Sequence, residues 1–189
     1  MTDWLELGGG SPWQSRSSAV VYDNGRLRLR EDAVVQPDGV PGSYTYVEIP
    51  WPIVAVVAVD DGGQVHLVRQ WRYPWSCNSW EIPAGHGELD EEPVAAARRE
   101  LAEEVGLVAR DWESLGGAFS SASIKAHYQL FLARGLEPSP GGIVRDGAEH
   151  DMITCRLPLA EAVAAAADGR IVHALSVVGL LRAARRLGV

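Results

Sequence analysis

The chain has 189 residues, 47% of them hydrophobic, enough for one substantial core with a small appended element. Its 17 basic residues stand against 25 acidic ones, a net charge of −8. That balance argues against a nucleic-acid partner, because backbone binding rests on neutralising phosphates. An anionic ligand would need metal cations or local arginines. Lys125 is the single lysine, so the other positive side chains are guanidinium forks.

Cys77 and Cys155 form no CxxC pair, so two reduced thiols in a cytoplasmic protein are expected. The chain does not open on a basic stretch followed by an apolar run. No segment nears the roughly 18 consecutive apolar residues of a membrane span, so no membrane partner is expected.

Residues 18–50 read as strands. Asn24 and Gly25 sit between two β-like runs as the dipeptide that favours a type I′ hairpin turn. The run "SYTYVEI" follows the turn-rich "QPDGVPG", and Pro50 and Pro52 around Trp51 mark a boundary. The sequence thus predicts an amino-terminal β extension over residues 1–50 and a main domain over 51–189. "IVAVVAV" at 53–59 is a continuous apolar strand. "QVHLVRQW", after the turn signal at 60–63, is its expected partner. "AHYQLFLARGL" and "MITCRL" read as further strands, separated by a Pro/Gly-rich loop. Two helices follow, over 159–167 and 174–186.

The chemistry concentrates at 85–107, "GHGELDEEPVAAARRELAEEVGL". Pro93 suits the first turn of a helix, Asp90, Glu91 and Glu92 supply negative charge at its amino end, and Gly106 suits the exit. A helix over Pro93–Val105 follows. At about 100° per residue, Val94, Ala97, Leu101 and Val105 fall within roughly 80° of one another. Glu100 and Glu104 border that stripe; Glu103 lies farther round, one turn from Arg99. Three carboxylates crowd one turn at the edge of burial, a conflict that a divalent cation resolves. Oxygen-only donors point to Mg²⁺ or Mn²⁺ in preference to zinc. The five histidines show no metal-ligand spacing.

The segment resembles the Nudix box, Gly-x5-Glu-x7-Arg-Glu-apolar-x-Glu-Glu-x-Gly-apolar. Gly85, Glu91, Arg99, Glu100, Leu101, Glu103, Glu104, Gly106 and Leu107 fill its defined places. The resemblance implies an α/β fold, an α/β/α sandwich with a mixed sheet, and metal-dependent pyrophosphate hydrolysis. Carried onto this chain, it makes Glu100 and Glu104 the principal metal ligands, Glu103 a ligand or water activator, and Arg99 their positioner.

"VRQWRYPW", "WEIPAG" and "GRIVHALSVVGLLRA" are similar to the ADP-ribose and nucleoside-diphosphate-sugar pyrophosphatase branch. That branch implies an amino-terminal β extension that contributes to a homodimer and to the substrate site. On the same resemblance Ala84 offers its carbonyl to metal, and Arg72 and Glu81 face the substrate. Tyr46 is a stacking candidate against packing in a core or dimer interface, and Glu149 and Asp151 are candidate loop acids. After the box the chain reads "FSSASIKAHYQLF", without the branch's usual proline and glutamate, and places Lys125 there as a substrate contact.

The expected substrate is a nucleoside diphosphate joined to another moiety, of ADP-ribose or nucleotide-sugar type. The alternatives are a nucleoside triphosphate, a dinucleoside polyphosphate or a coenzyme A derivative, or a module that senses nucleotide sugars without catalysis.

Overall fold

A computed structural model describes residues 9–145 and 147–189. The first eight residues of the expected extension lie outside the described residues. The described residues form two compact units, 9–49 with Ser121–Lys125, and Pro50–Ser120 with Ala126–Val189.

In the first unit, β1 (Gln14–Asp23) and β2 (Arg28–Val35) pair antiparallel, and β2 pairs with the start of β3 (Pro41–Ala58). The expected type I′ turn is absent. Asp23 pairs with Arg28, leaving a four-residue loop in which Gly25 has φ 81° while Asn24 is not in the positive-φ region. The side chains explain the difference: Asn24 Oδ1 accepts from the N–H groups of Arg26 and Leu27, both at 2.9 Å, and Asp23 Oδ1 accepts from Gly25 at 2.8 Å. These local bonds compete with the two-residue turn.

The division between units falls inside β3, which runs unbroken through Pro50 and Pro52. The prolines therefore do not end the strand.

In the second unit, the later half of β3 pairs with β6 (Ala84–His86), and β7 (Leu107–Ala118) pairs with β8 (Ile124–Pro138). A second sheet has the order β5 (Cys77–Glu81), β4 (Gln64–Arg72), β9 (Ile153–Pro158). Three helices complete it: α1 (Pro93–Val105), α2 (Leu159–Ala167) and α3 (Ala174–Leu187).

Strand alternation decides which helix covers which face. Val54, Val56 and Ala58 of β3, with Phe131 and Ala133 of β8, form one core with Ala96, Ala97, Leu101 and Val105 of α1. On the other face Gly179 of α3 lies against Val57, Leu130 and Ile82. Burial on both faces explains why residues 53–59 read as continuously apolar. This is the expected α/β/α sandwich. Among the described residues no helix is long and apolar enough to cross a membrane, and both cysteines are free.

Candidate active site

Helix α1 begins with Pro93 and ends at Gly106, whose φ of 73° is the left-handed cap that glycine adopts without strain. The expected acids stand just ahead of its first turn. Glu92 caps it without a side-chain bond, and the first turn holds no acid. Glu91 instead accepts from the Glu88 N–H at 3.0 Å and lies 3.4 Å from Arg99 Nη2.

The apolar stripe is broader than periodicity indicated, and it takes in two charges. Glu100 is 6% exposed and Glu104 1%, so both lie inside the fold where a border position was expected. Two backbone features make room for them. A β-carbon on Gly85 would overlap the Glu100 carboxylate, so glycine is required there by close approach. The Ala84 N–H donates to Glu104 Oε2 at 3.0 Å.

Arg99 ties this face together. Its Nη1 donates to Glu100 Oε1 at 2.8 Å and Glu103 Oε2 at 3.0 Å, and its Nη2 to the His86 carbonyl at 2.8 Å. Among the described residues no three His, Cys, Asp or Glu side chains close on a common point. Glu100 and Glu103 are held by the guanidinium instead.

Electrostatically the site is strained toward negative charge. Burial, then the Glu100 carboxylate, pushes the Glu104 carboxyl up to about 8, against the opposing Ala84 N–H. Burial also raises Glu100, only partly countered by Arg99. The charge of Glu149, in the loop that precedes β9, bears on both carboxylates and on Arg72. Asp151 is exposed. Of the two candidate loop acids, Glu149 is the one whose field reaches the cluster.

Arg72 and Glu81, read as two substrate-facing groups, face each other. Arg72 Nε and Nη2 donate to Glu81 Oε1 and Oε2 at 2.8 and 2.6 Å. Glu81 is 0% exposed, so it opens onto no solvent. The Arg72 bonds hold its carboxyl below the usual range although burial opposes this. Nδ1 of His173, one of the five histidines without metal-ligand spacing, lies 3.1 Å from Glu81 Oε2.

In the other unit, Lys125 Nζ is bonded to Glu48 at 2.8 Å, and the Tyr46 hydroxyl lies 3.4 Å from Asp32 with its ring 6.4 Å from Tyr44. Sequence reasoning missed Glu48, Gln70, Arg145 and the role of His173. Arg145 Nε donates to the carbonyl of Glu104 at 3.1 Å, tying the long loop to the end of α1. No local pattern announces such pairs, because their partners lie far along the chain.

The NUDIX domain family matches residues 50–175, two thirds of the chain, and covers every group around α1. The chain belongs to the Nudix family. The nucleoside diphosphate sugar hydrolase N-terminal domain matches residues 13–47.

Among similar proteins, the chain is 34% identical over 178 residues to an ADP-ribose pyrophosphatase of Mycobacterium tuberculosis, covering 89% of this chain and 82% of that protein. It is 30% identical over 162 residues to a methanol dehydrogenase activator of Bacillus methanolicus, covering 85% and 86%. A crystal structure of an ADP compounds hydrolase superposes with a TM-score of 0.82 at 21% identity, over 96% of this chain and 97% of that one. This last likeness speaks to the fold. The chain is thus a Nudix hydrolase, and enzymes of this family generally use divalent metal ions.

Proposed function

We propose that this Nudix hydrolase cleaves the pyrophosphate of a nucleoside diphosphate joined to a sugar, of ADP-ribose or nucleotide-sugar type, into two phosphate monoesters. The observation that carries the reading is the buried Glu100 and Glu104 pair against the glycine floor at Gly85. Two acids raised by burial, Glu104 further by the charge of Glu100, are an arrangement that a cation relieves. The ADP-ribose pyrophosphatase relative supports the substrate class.

The donor set fits Mg²⁺ or Mn²⁺: Glu100 and Glu104 would hold the ion, joined by Glu103 and the Ala84 carbonyl. A bound divalent ion supplies charge neutralisation at the phosphate oxygens and acidifies water. Arg99 orients Glu100 and Glu103 through its bonds to both. Glu149 is the acid placed to accept a proton from water, in preference to Asp151. Arg72 offers the remaining Nη1 N–H of its guanidinium to a phosphate. Lys125, bonded to Glu48, and Tyr46, beside Asp32 and Tyr44, stay substrate-contact candidates in this reading. Residues 51–189 carry hydrolysis, and the extension of residues 1–50 serves to join two copies.

Purified protein with Mg²⁺ or Mn²⁺, assayed by mass spectrometry against ADP-ribose, nucleotide sugars, nucleoside triphosphates, dinucleoside polyphosphates and coenzyme A, tests this. Monophosphate products from the first two classes are expected. Turnover confined to the others moves the substrate class, and folded protein without turnover on any compound overturns the reading.

A further inference from the structure

The register of β4 and β5 puts Arg72 opposite Cys77 and Glu81 opposite Val68. At about 3.3 Å per residue, the two ion-pair partners start roughly 13 Å apart along the ladder. Val68, Gln70 and Arg72 share one face of β4, so the Arg72 side chain must lie back along its own strand, over Gln70, to meet Glu81. An arginine at a strand end otherwise extends into water, where its long stem keeps its rotamer freedom. Something must hold it down.

Glu81 is that holder, and it is itself held. With its amide oxygen turned to the guanidinium, Gln70 accepts from Arg72 Nη2 and Nη1 at 3.0 and 3.2 Å. Behind Glu81, His173 Nδ1 lies 3.1 Å from Oε2 and 2.8 Å from the hydroxyl of Ser176. Ser176 is fully buried and accepts from the Ile82 N–H at 2.9 Å. A carboxylate only accepts, so Glu81 favours the tautomer with the proton on Nδ1. Burial favours the neutral imidazole, while the charge of Glu81 opposes. Glu81 Oε2 thus lies against both His173 Nδ1 at 3.1 Å and Arg72 Nη2 at 2.6 Å, with the Trp75 and His173 ring centres 6.1 Å apart. The amino end of α3, through His173 and Ser176, is thereby coupled to a cation at the end of β4.

We propose that His173 is a positioning residue, which through Glu81 fixes the Arg72 guanidinium for a substrate phosphate. This rests on the reading of Arg72 as a phosphate contact. Because Arg72 would bind the ground state and the transition state alike, its misplacement shows in KM.

The test compares His173→Ala and His173→Asn, whose carboxamide N–H replaces Nδ1–H, each alone and with Arg72→Ala. Steady-state kinetics on the preferred pyrophosphate substrate is one readout. The other is the Arg72 Nε–H signal in a ¹⁵N correlation spectrum of protein without substrate or metal. His173→Ala is expected to raise KM about tenfold with kcat within about threefold, and to broaden the Nε–H signal. His173→Asn restores both, and in the Arg72→Ala background His173→Ala adds nothing to KM.

An unchanged KM, an equal KM increase in the Arg72→Ala background, or a sharp Nε–H signal in His173→Ala would overturn the proposal. If the wild-type protein turns over no pyrophosphate, the hydrolase reading fails. The Nε–H signal then decides the brace by itself.

Discussion

At the scale of single residues, the site is governed by charges placed where water is scarce. Glu104 shows the sign. Its folded value, about 8, lies above the roughly 4.3 of an unfolded glutamate. The stability it contributes is full below about pH 4.3 and is lost as pH rises through about 8. Glu104→Gln keeps the shape and an acceptor for the Ala84 N–H while removing that dependence. In EDTA at pH 9 the variant is expected to melt a few degrees above wild type, about 2–4 °C for each kcal/mol relieved, with the gap closing near pH 4. With metal present its turnover should fall at least about 100-fold, since a ligand to the ion is lost. A wild-type protein that melts higher than the variant in EDTA at pH 9 would contradict the assignment of Glu104 as a strained acid.

Glu48 titrates with the opposite sign. Hydrogen bonds from Lys125 and Arg30 hold its carboxyl below the usual glutamate range. Its contribution is present above the unfolded value of about 4.3 and disappears as pH falls through the lower folded value. The Lys125 side chain is largely exposed, so Glu48→Gln should cost no more than about 1 kcal/mol in urea unfolding at pH 7. An equal cost at pH 3 would show that the loss comes from packing instead.

At the scale of elements, legibility followed locality. Helix α1 announced itself through Pro93, Gly106 and a dense charge pattern, and its boundaries came out as Pro93–Val105. Strand β7 did not. Its "WESLGG" mixes acids with two glycines, and a register shift between Ser114 and Gly116 breaks the alternation by which strands are read.

The carboxylates were found but their depth was not, because periodicity orders positions around a helix without saying what covers them. Gly85 and Gly106 looked alike as motif glycines. One serves the close approach of Glu100 and the other a left-handed cap. The Glu81 to His173 contact joins β5 to α3 and had no signal short of the fold itself. Gly179, inside the helix expected over 174–186, is where α3 touches the sheet. A β-carbon there would lie 2.8 Å from Ile82 Cδ1, 3.1 Å from Val57 Cγ2 and 3.2 Å from Leu130 Cδ2. Alanine improves helix propensity by about 1 kcal/mol, while overpacking a dense core costs about 1–3 kcal/mol. Overlap with three buried side chains makes the second effect win. Gly179→Ala is therefore expected to lower the urea midpoint, and a raised midpoint would mean that α3 can shift outward freely.

For the molecule as a whole, the open question is assembly, and β1 frames it. All ten of its residues are exposed, and in the strand order it has β2 on one side only. Its apolar residues Val20, Val21 and Tyr22 are about half exposed at 49%, 58% and 55%. Because side chains alternate, they present apolar surface on both faces of the strand. A lone edge strand of this kind invites pairing unless it is charged, bulged or covered. Its two register shifts, between Ser15 and Ser17 and between Val20 and Tyr22, bend it without removing the apolar surface.

A second copy of the chain is the economical cover, since a symmetric pair buries the same strip twice. Sedimentation velocity should then find the wild-type protein at twice the chain mass. The triple variant Val20→Lys, Val21→Lys, Tyr22→Lys should sediment at the single-chain mass with its circular dichroism unchanged. A triple variant that remains dimeric would place the contact elsewhere, and a monomeric wild type would remove the extension's proposed role in joining two copies while leaving the chemistry around Glu100 and Glu104 untouched.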